Sequence, residues 1–237
     1  MHLFYQPNAG VRELDEEEGR HITKVLRLNT GDIIHVTDGN GLLQKCVLEV
    51  KGKKLSYKVA ESEMISQRPY SVTMAIAPTR KAERNEWMVE KMIEIGVERI
   101  DFIVTKNTNT ESLNRVVNLG RLNRIAVAAM KQSQQFFLPE ISLHKNFGHY
   151  IENRGEITKL LAYVPDNHAV QHVIQKVVKN SGTILLIGPE GDFTPEEVVL
   201  AAEHGFQTVS LGATRLRTET AAVAGCHAIN LANIIDL

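Results

Sequence analysis

The sequence predicts an α/β protein, a mostly parallel sheet with helices on both faces, preceded by a small β domain. Two rhythms and one bound predict it. Over the first 70 or so residues apolar and polar side chains alternate with period two, the mark of half-buried antiparallel strands. From Ser71 onward short apolar runs alternate with helical stretches, the pattern of a parallel sheet covered by helices. The 237 residues, 43% hydrophobic and 23% charged, suffice for one large or two modest globular domains.

After a short opening segment, Asp15 to about Leu26 reads as a helix. Asp15 is its cap, Glu18 completes a capping box, and Ile22, Val25 and Leu26 form its apolar side. Arg20, Lys24 and Arg27 follow at i, i+4 and i+7 and form a basic stripe on another side. Ile34 and Val36 alternate up to the turn Asp38-Gly39-Asn40-Gly41; Cys46, Leu48 and Val50 alternate after it. A second turn, Lys51 to Lys54, leads to Leu55, Tyr57 and Val59, completing a small barrel or meander. Glu63 to Tyr70 is the expected linker, giving domains of 1–70 and 71–237. Val72 to Ala77 is a strand, and a helix starts near Ala82 with Met88, Met92 and Ile95 on one face and Gly96 at its end. Ile100 to Val104 is a strand, and Ser112 to about Gln135 one long amphipathic stretch. There follow a strand at Lys159 to Tyr163, a helix at Ala169 to Val178, a strand at Thr183 to Ile187, a helix from Pro195, a strand at Thr208 to Leu211 and a final helix from about Glu219.

Lys plus Arg number 27 against 28 Asp plus Glu, a formal charge of −1, so bulk positive charge is not what would draw the protein to a nucleic acid. Two distant cysteines, Cys46 and Cys226, exclude a disulfide scaffold and a cysteine zinc finger and suit a reducing cytoplasm. No run approaches 18 apolar residues, and the Met1 to Pro7 segment lacks a signal-peptide layout, so a soluble chain with no membrane partner is expected. There is no phosphate-binding G-x-x-x-x-G-K-[ST] and no G-x-G-x-x-G after a strand, against triphosphate hydrolysis, a dinucleotide site and the Rossmann-like methyltransferases. His168 and His172 are spaced i, i+4 without the zincin glutamate and read as a solvated helix face; no metal site is expected.

Two loops have the chemistry of a ligand site. In Leu185 to Glu197 an apolar strand runs into Gly188-Pro189-Glu190-Gly191-Asp192, and a helix then starts with Thr194 as cap, Pro195 at its first position and Glu197 closing a capping box. In Val209 to Ala222 a second strand leaves through Leu211-Gly212 and Leu216-Arg217, with Thr218 placed to cap the last helix. Ala221, Ala222, Ala224 and Gly225 would let that helix pack very closely. Ligands of open α/β sheets bind beyond the carboxyl ends of strands, where both loops must lie. The same residues also serve a tight strand–helix turn and a capped helix with solvated arginines. The two strand ends are expected to be adjacent, so that the loops together form one pocket.

These loops resemble the RsmE family, the 16S rRNA (uracil-N3)-methyltransferases of the SPOUT superfamily. The resemblance rests on Gly188-Pro189-Glu190-Gly191, Leu211-Gly212 and Leu216-Arg217-Thr218-Glu219-Thr220-Ala221, and it extends over nearly the whole chain. His21 to Leu28 with Gly31-Asp32 and Asp38-Gly39 is similar to the family's N-terminal domain. Lys81 to Trp87, Glu90 to Val97 and Gln132-Ser133 are similar to its catalytic domain. Asp192 stands where the family often has a second glycine, Lys131 where it has an acid, and Gln134-Gln135 where it has Gly-Arg.

The resemblance implies a PUA-like β-barrel that binds RNA, then a SPOUT domain with a trefoil-knotted C-terminus. It implies a homodimer, cytoplasmic, with S-adenosylmethionine as methyl donor and 16S rRNA within the 30S subunit, not DNA, as partner. The donor would lie against Ile187, Gly188, Glu190, Gly191, Leu211, Gly212, Leu216 and Thr218. Arg217 would hold uracil oxygens as charge develops, and Glu219 is the nearest candidate base. Arg20, Lys24, Arg27, Arg80, Lys81 and Arg84 are the candidate RNA contacts. A methyltransferase acting on another RNA, and a non-catalytic RNA-binding assembly protein, are the competing expectations.

Overall fold

The computed structural model describes residues 1–8, 10–51, 54–163 and 170–235. The chain forms two compact units, Met1–Gln67 with Met130–Leu138, and Arg68–Ala129 with Pro139–Leu237.

In the first unit β1 (Leu3–Tyr5), β2 (Ile33–Thr37), β3 (Leu42–Lys51) and β4 (Lys54–Met64) form one sheet in that order. β2 to β4 are the predicted antiparallel meander, with Ile34 opposite Cys46 and Leu48 opposite Tyr57. Those four side chains pack with Phe4, Leu14, Ile22, Val36 and Leu55 in its core. β1 joins parallel to β2, a pairing that three residues have no period to announce. The turn after β2 uses Gly39 and Gly41 at φ 76° and 96°. Gly52 and Lys53 of the second predicted turn lie outside the described residues.

The first helix differs from expectation. α1 spans only Glu16–Arg20, with Glu18 N–H donating to Asp15 Oδ1 at 2.8 Å, and continues as a π-helical stretch over His21–Leu26. Wider winding undoes the 3.6-residue spacing on which the basic stripe was drawn. Val25, predicted apolar and inward, is 65% exposed, and Arg27 ends the stretch at φ 56°. Met130–Leu138 belongs to this unit and not to the second: Gly41 N–H donates to Phe136 O, Leu138 N–H donates to Gly39 O, and Lys131 pairs with the buried Glu18.

The second unit is built on a six-stranded, wholly parallel sheet. Its strands are β5 (Ser71–Ile76), β6 (Arg99–Ile103), β7 (Glu140–His144), β8 (Thr158–Ala162), β9 (Gly182–Ile187) and β10 (Gln207–Val209), in the order β10-β8-β9-β5-β6-β7. The central strands of such a sheet are covered on both faces, which is why β9 reads as an apolar run and β5 as one interrupted only by Thr73. α2 (Ala82–Ile95) and α7 (Thr218–Ile234) pack together on the face that carries Met74 and Leu185. α5 (Phe147–Glu152) and α6 (Pro195–Glu203) cover the face carrying Ala75, Ile184 and Leu186. Gly225 of α7 approaches β9 so closely that a Cβ there would stand 2.4 Å from Leu185 Cδ2.

Three other expectations are corrected. The long amphipathic stretch is two helices, α3 (Leu113–Val116) and α4 (Leu119–Gln132), because Asn118 Oδ1 takes the Arg121 N–H and starts a new one. β7 and α5 were not anticipated. The helix expected from Ala169 to Val178 is, in its described part, only a 3₁₀ turn at Val173–Gln175. His172 caps it through Nδ1, while His168 and Ala169 lie outside the described residues. No described helix is long and apolar enough to cross a membrane.

Candidate active site

The site lies in the second unit, beyond the carboxyl ends of the strands. β8 separates β9 from β10, so the two motif loops do not leave neighbouring strands. They nonetheless line one cavity of about 890 Å³, closed between them by Ala162 and Tyr163 at the end of β8.

Each loop is fixed by local chemistry. After β9, Asp192 N–H donates to Pro189 O and closes a turn. Asp192 itself stands at φ 60°, and its Oδ1 accepts the Phe193 N–H at 2.8 Å. Asn107 Nδ2 donates to Gly191 O and Asp192 O, both at 3.0 Å, which anchors the loop from the side of β6. α6 opens with the predicted capping box of Thr194 and Glu197 behind Pro195. After β10, Ser210 Oγ donates to Gly212 O, and Gly212 holds φ 138°. A Cβ at Gly212 would meet nothing within 4 Å, so bare backbone faces open space there. Thr218 is not the cap of α7: Arg217 is the N-cap, and Thr218, the first helical residue, donates from Oγ1 to Gly188 O at 3.1 Å. That bond ties one motif loop to the other.

Of the ten residues expected to hold the donor or to act in catalysis, Ile187, Gly188, Glu190, Leu211, Gly212, Leu216, Arg217, Thr218 and Glu219 line the cavity. Gly191 does not; it borders a smaller hollow beside Arg80 and Asn107. Arg217 is exposed at the rim, and among the described residues no carboxylate pairs with it. Glu219, in the first turn of α7, is 8% exposed.

Arg84 is redirected. Expected to face RNA, it lines the cavity and points Nη1 at Glu219 Oε1 (3.4 Å) and Glu190 Oε1 (3.8 Å). Arg80 reaches the same Glu190 at 3.7 Å. The turn carrying both arginines is held by the fully buried Asn85, whose Oδ1 accepts from Thr79 and whose Nδ2 donates to Thr79 O and Val116 O. Lys81 is exposed and sits at the N-cap of α2. Arg20, Lys24 and Arg27 are exposed residues of the first unit. Tyr163, Phe193 and Arg215 also line the cavity, and nothing in the local sequence around Tyr163 marked it. Among the described residues no group of three or more His, Cys, Asp or Glu could hold a metal ion.

The cavity combines exposed backbone and apolar walls with a carboxylate pair on one side and unpaired guanidinium groups on the rim. Arg84 and Arg80 already occupy those carboxylates, so what the cavity offers a ligand is bare backbone, apolar wall and, at the rim, guanidinium groups for a ligand that develops negative charge. Residues 66–230 match the family of RNA methyltransferase domains, and residues 14–59 match the RNA methyltransferase PUA domain. A relative from Synechocystis sp., ribosomal RNA small subunit methyltransferase E, is 30% identical over 89% of this chain and 69% of its own. The chain belongs to the RsmE family of RNA methyltransferases.

Solved structures agree with that membership throughout the chain. A probable rRNA methyltransferase from Porphyromonas gingivalis superposes with a TM-score of 0.91 at 36% identity, covering 98% of both chains. Ribosomal RNA small subunit methyltransferase E from Neisseria gonorrhoeae, bound to S-adenosyl methionine, superposes at 0.83 with 25% identity and again covers 98% of both. The β domain and the parallel-sheet domain are thus the PUA and methyltransferase domains of the family.

Proposed function

We propose that this RNA methyltransferase transfers the methyl group of S-adenosylmethionine to N3 of one uridine in 16S rRNA, acting as a homodimer on the 30S subunit. The observation that carries the reading is that both motif loops line one cavity, with Arg217 at its rim and Glu219 in its wall. The names of the relatives supply the substrate class, and the donor found in the Neisseria gonorrhoeae enzyme supplies the cofactor.

The residues present fit that donor. Gly212 offers bare backbone to the cavity, and Ile187, Leu211 and Leu216 give it apolar walls. Bound, S-adenosylmethionine supplies an activated methyl group: the C–S bond breaks, the N3–CH₃ bond forms, and the N3 proton must leave. Ile187, Gly188, Leu211 and Leu216 would hold the donor, with Gly191 shaping the loop that carries Glu190. Arg217 donates to uracil oxygens as negative charge moves onto them, an interaction stronger in the transition state than in the ground state. Glu219 receives the proton, and Arg84 at 3.4 Å holds its carboxylate in place. Positioning alone contributes about 7–11 kcal/mol to such a two-substrate step, so no covalent intermediate is called for.

A knotted C-terminus belongs to the same reading. Its support is that Ser210, at the exit of β10, exchanges backbone bonds with Gln171 and Val173, and α7 then packs on the 173–175 turn, β5 and β9. Exposed Arg20, Lys24, Arg27 and Lys81 serve as RNA contacts outside the cavity, and a cytoplasmic location follows from the substrate. The deciding experiment is methylation of purified 30S subunits and of naked 16S rRNA, with the product nucleoside identified. N3-methyluridine is expected. Another methylated nucleoside would move the enzyme to a different target, and RNA binding without S-adenosylmethionine binding would end the enzymatic reading.

A further inference from the structure

The cavity described above is one of three hollows that follow one another along the carboxyl edge of the sheet. The first lies over β10, β8 and β9. The second, about 280 Å³, lies over β9, β5 and β6, between Gly191, the Pro78–Arg80 turn, Asn107 and Asn109. The third, about 480 Å³, lies over β6 and β7, between Val104, the Thr110–Arg115 segment and Lys145. Their order is that of the strands beneath them, and the first two share Pro189 and Glu190.

The second and third hollows have the chemistry of a polyanion bearing hydrogen-bonding edges. Arg80 is 67% exposed along its side chain, and Arg115 and Lys145 are exposed with no ion pair among the described residues. Opposing them are Glu190 and Glu111. The loop joining the two hollows is Thr105-Lys106-Asn107-Thr108-Asn109-Thr110, polar throughout. Asn109 Oδ1 is buried and lacks a hydrogen-bond partner among the described residues. Folded proteins rarely leave such an acceptor unmet; Asn109 itself lines the second hollow, and a turn of its side chain would bring that oxygen to a ligand N–H.

Resting on the methyltransferase reading, we infer that this row is the track of the substrate strand: unpaired nucleotides flanking the methylated one run along β9, β5, β6 and β7. A base with an N–H edge enters the second hollow against Asn109, and Arg80, Arg115 and Lys145 meet phosphates. Separate hollows between loops suit splayed single-stranded bases, which is how RNA sequence is read, and do not suit a duplex.

Two variants test it, with 30S particles and naked 16S rRNA as probes. Arg115→Glu/Lys145→Glu should raise the KM for both RNAs at least tenfold and leave S-adenosylmethionine affinity unchanged. It should also flatten the salt dependence of RNA binding by about 1.4 in log–log slope, roughly 0.7 for each lost single-strand contact. Arg115→Lys should behave as the unaltered enzyme. Asn109→Ala should raise the RNA KM without lowering the melting temperature, because it removes an unpaired acceptor from the free protein; a merely structural asparagine would show the reverse. Unchanged RNA affinity and slope in the double variant overturn the track. So does a loss confined to 30S particles, which would assign the surface to a ribosomal protein. RNA affinity is read separately from methyl transfer. A wild-type enzyme that binds rRNA but does not methylate it would sink the proposed activity while these affinity comparisons still decide the track.

Discussion

Asp192 shows how one side chain can stand where a glycine is usual. A left-handed backbone costs an ordinary residue roughly 1–2 kcal/mol, and Asp and Asn tolerate it because a short polar side chain can bond locally. Here Oδ1 takes the Phe193 N–H while the backbone N–H closes the turn on Pro189. Asp192→Val should therefore lower stability by about 1–2 kcal/mol and weaken donor binding, whereas Asp192→Gly should retain both; equal denaturation midpoints for the two variants would refute the account. Arg217 tests the chemistry at the same scale. Arg217→Ala should lower turnover roughly 10²–10³-fold at unchanged donor affinity, the usual consequence of removing one charge-stabilising donor. Normal single-turnover rates would remove it from the mechanism. The sequence marked Arg217 and Glu219 through their motif, but it also placed Arg84 on an RNA-facing patch. Arg84 is drawn instead to Glu190 and Glu219, residues over a hundred positions away, and no local pattern carries that pairing.

At the scale of elements, caps and periods were legible wherever the interaction is short-range. The Thr194–Glu197 box, the strand runs of β5 and β9 and the Gly96 stop of α2 all lie within four residues of what determines them. The Ser112–Gln135 stretch kept its amphipathic period across a break, because Asn118 is polar wherever it falls and only its bond to Arg121 N–H reveals a second start. The small residues of α7 carried a prediction that the structure makes quantitative. Gly225 admits no Cβ without displacing Leu185, which is fully buried. Gly225→Val should cost about 1–3 kcal/mol despite valine's better helix propensity, because overpacking at a closed contact outweighs it. Thermal unfolding of that variant, against Ala224→Val as control, checks the claim.

For the molecule as a whole, both cysteines are fully buried, one in each unit. Burial pushes the Cys46 thiol up to about 11 and the Cys226 thiol up to about 12, from an ordinary 9.0. Tyr150 is raised too, by burial and then by Asp101. A group whose pKa rises on folding stabilises the fold fully below its unfolded value and loses that contribution as pH climbs through the folded one. Stability should therefore decline from about pH 9 toward pH 11–12, and Cys46→Ala/Cys226→Ala should flatten the decline. Urea midpoints measured at about pH 8 and about pH 10.5 for both proteins test this; parallel slopes would show that the thiols play no part.

The sequence by itself determined the two-part α/β plan, the strands of the meander and most of the sheet, the capped start of α6 and the residues of the two motif loops. Each of these is written in periods and caps that act over a few positions. Tertiary structure decided that β8 lies between the motif strands, that Arg84 closes on Glu219, and that Met130–Leu138 joins the first unit. Strand order and long-range ion pairs depend on which distant surfaces pack against one another, and a local period records that a face is buried without recording what buries it.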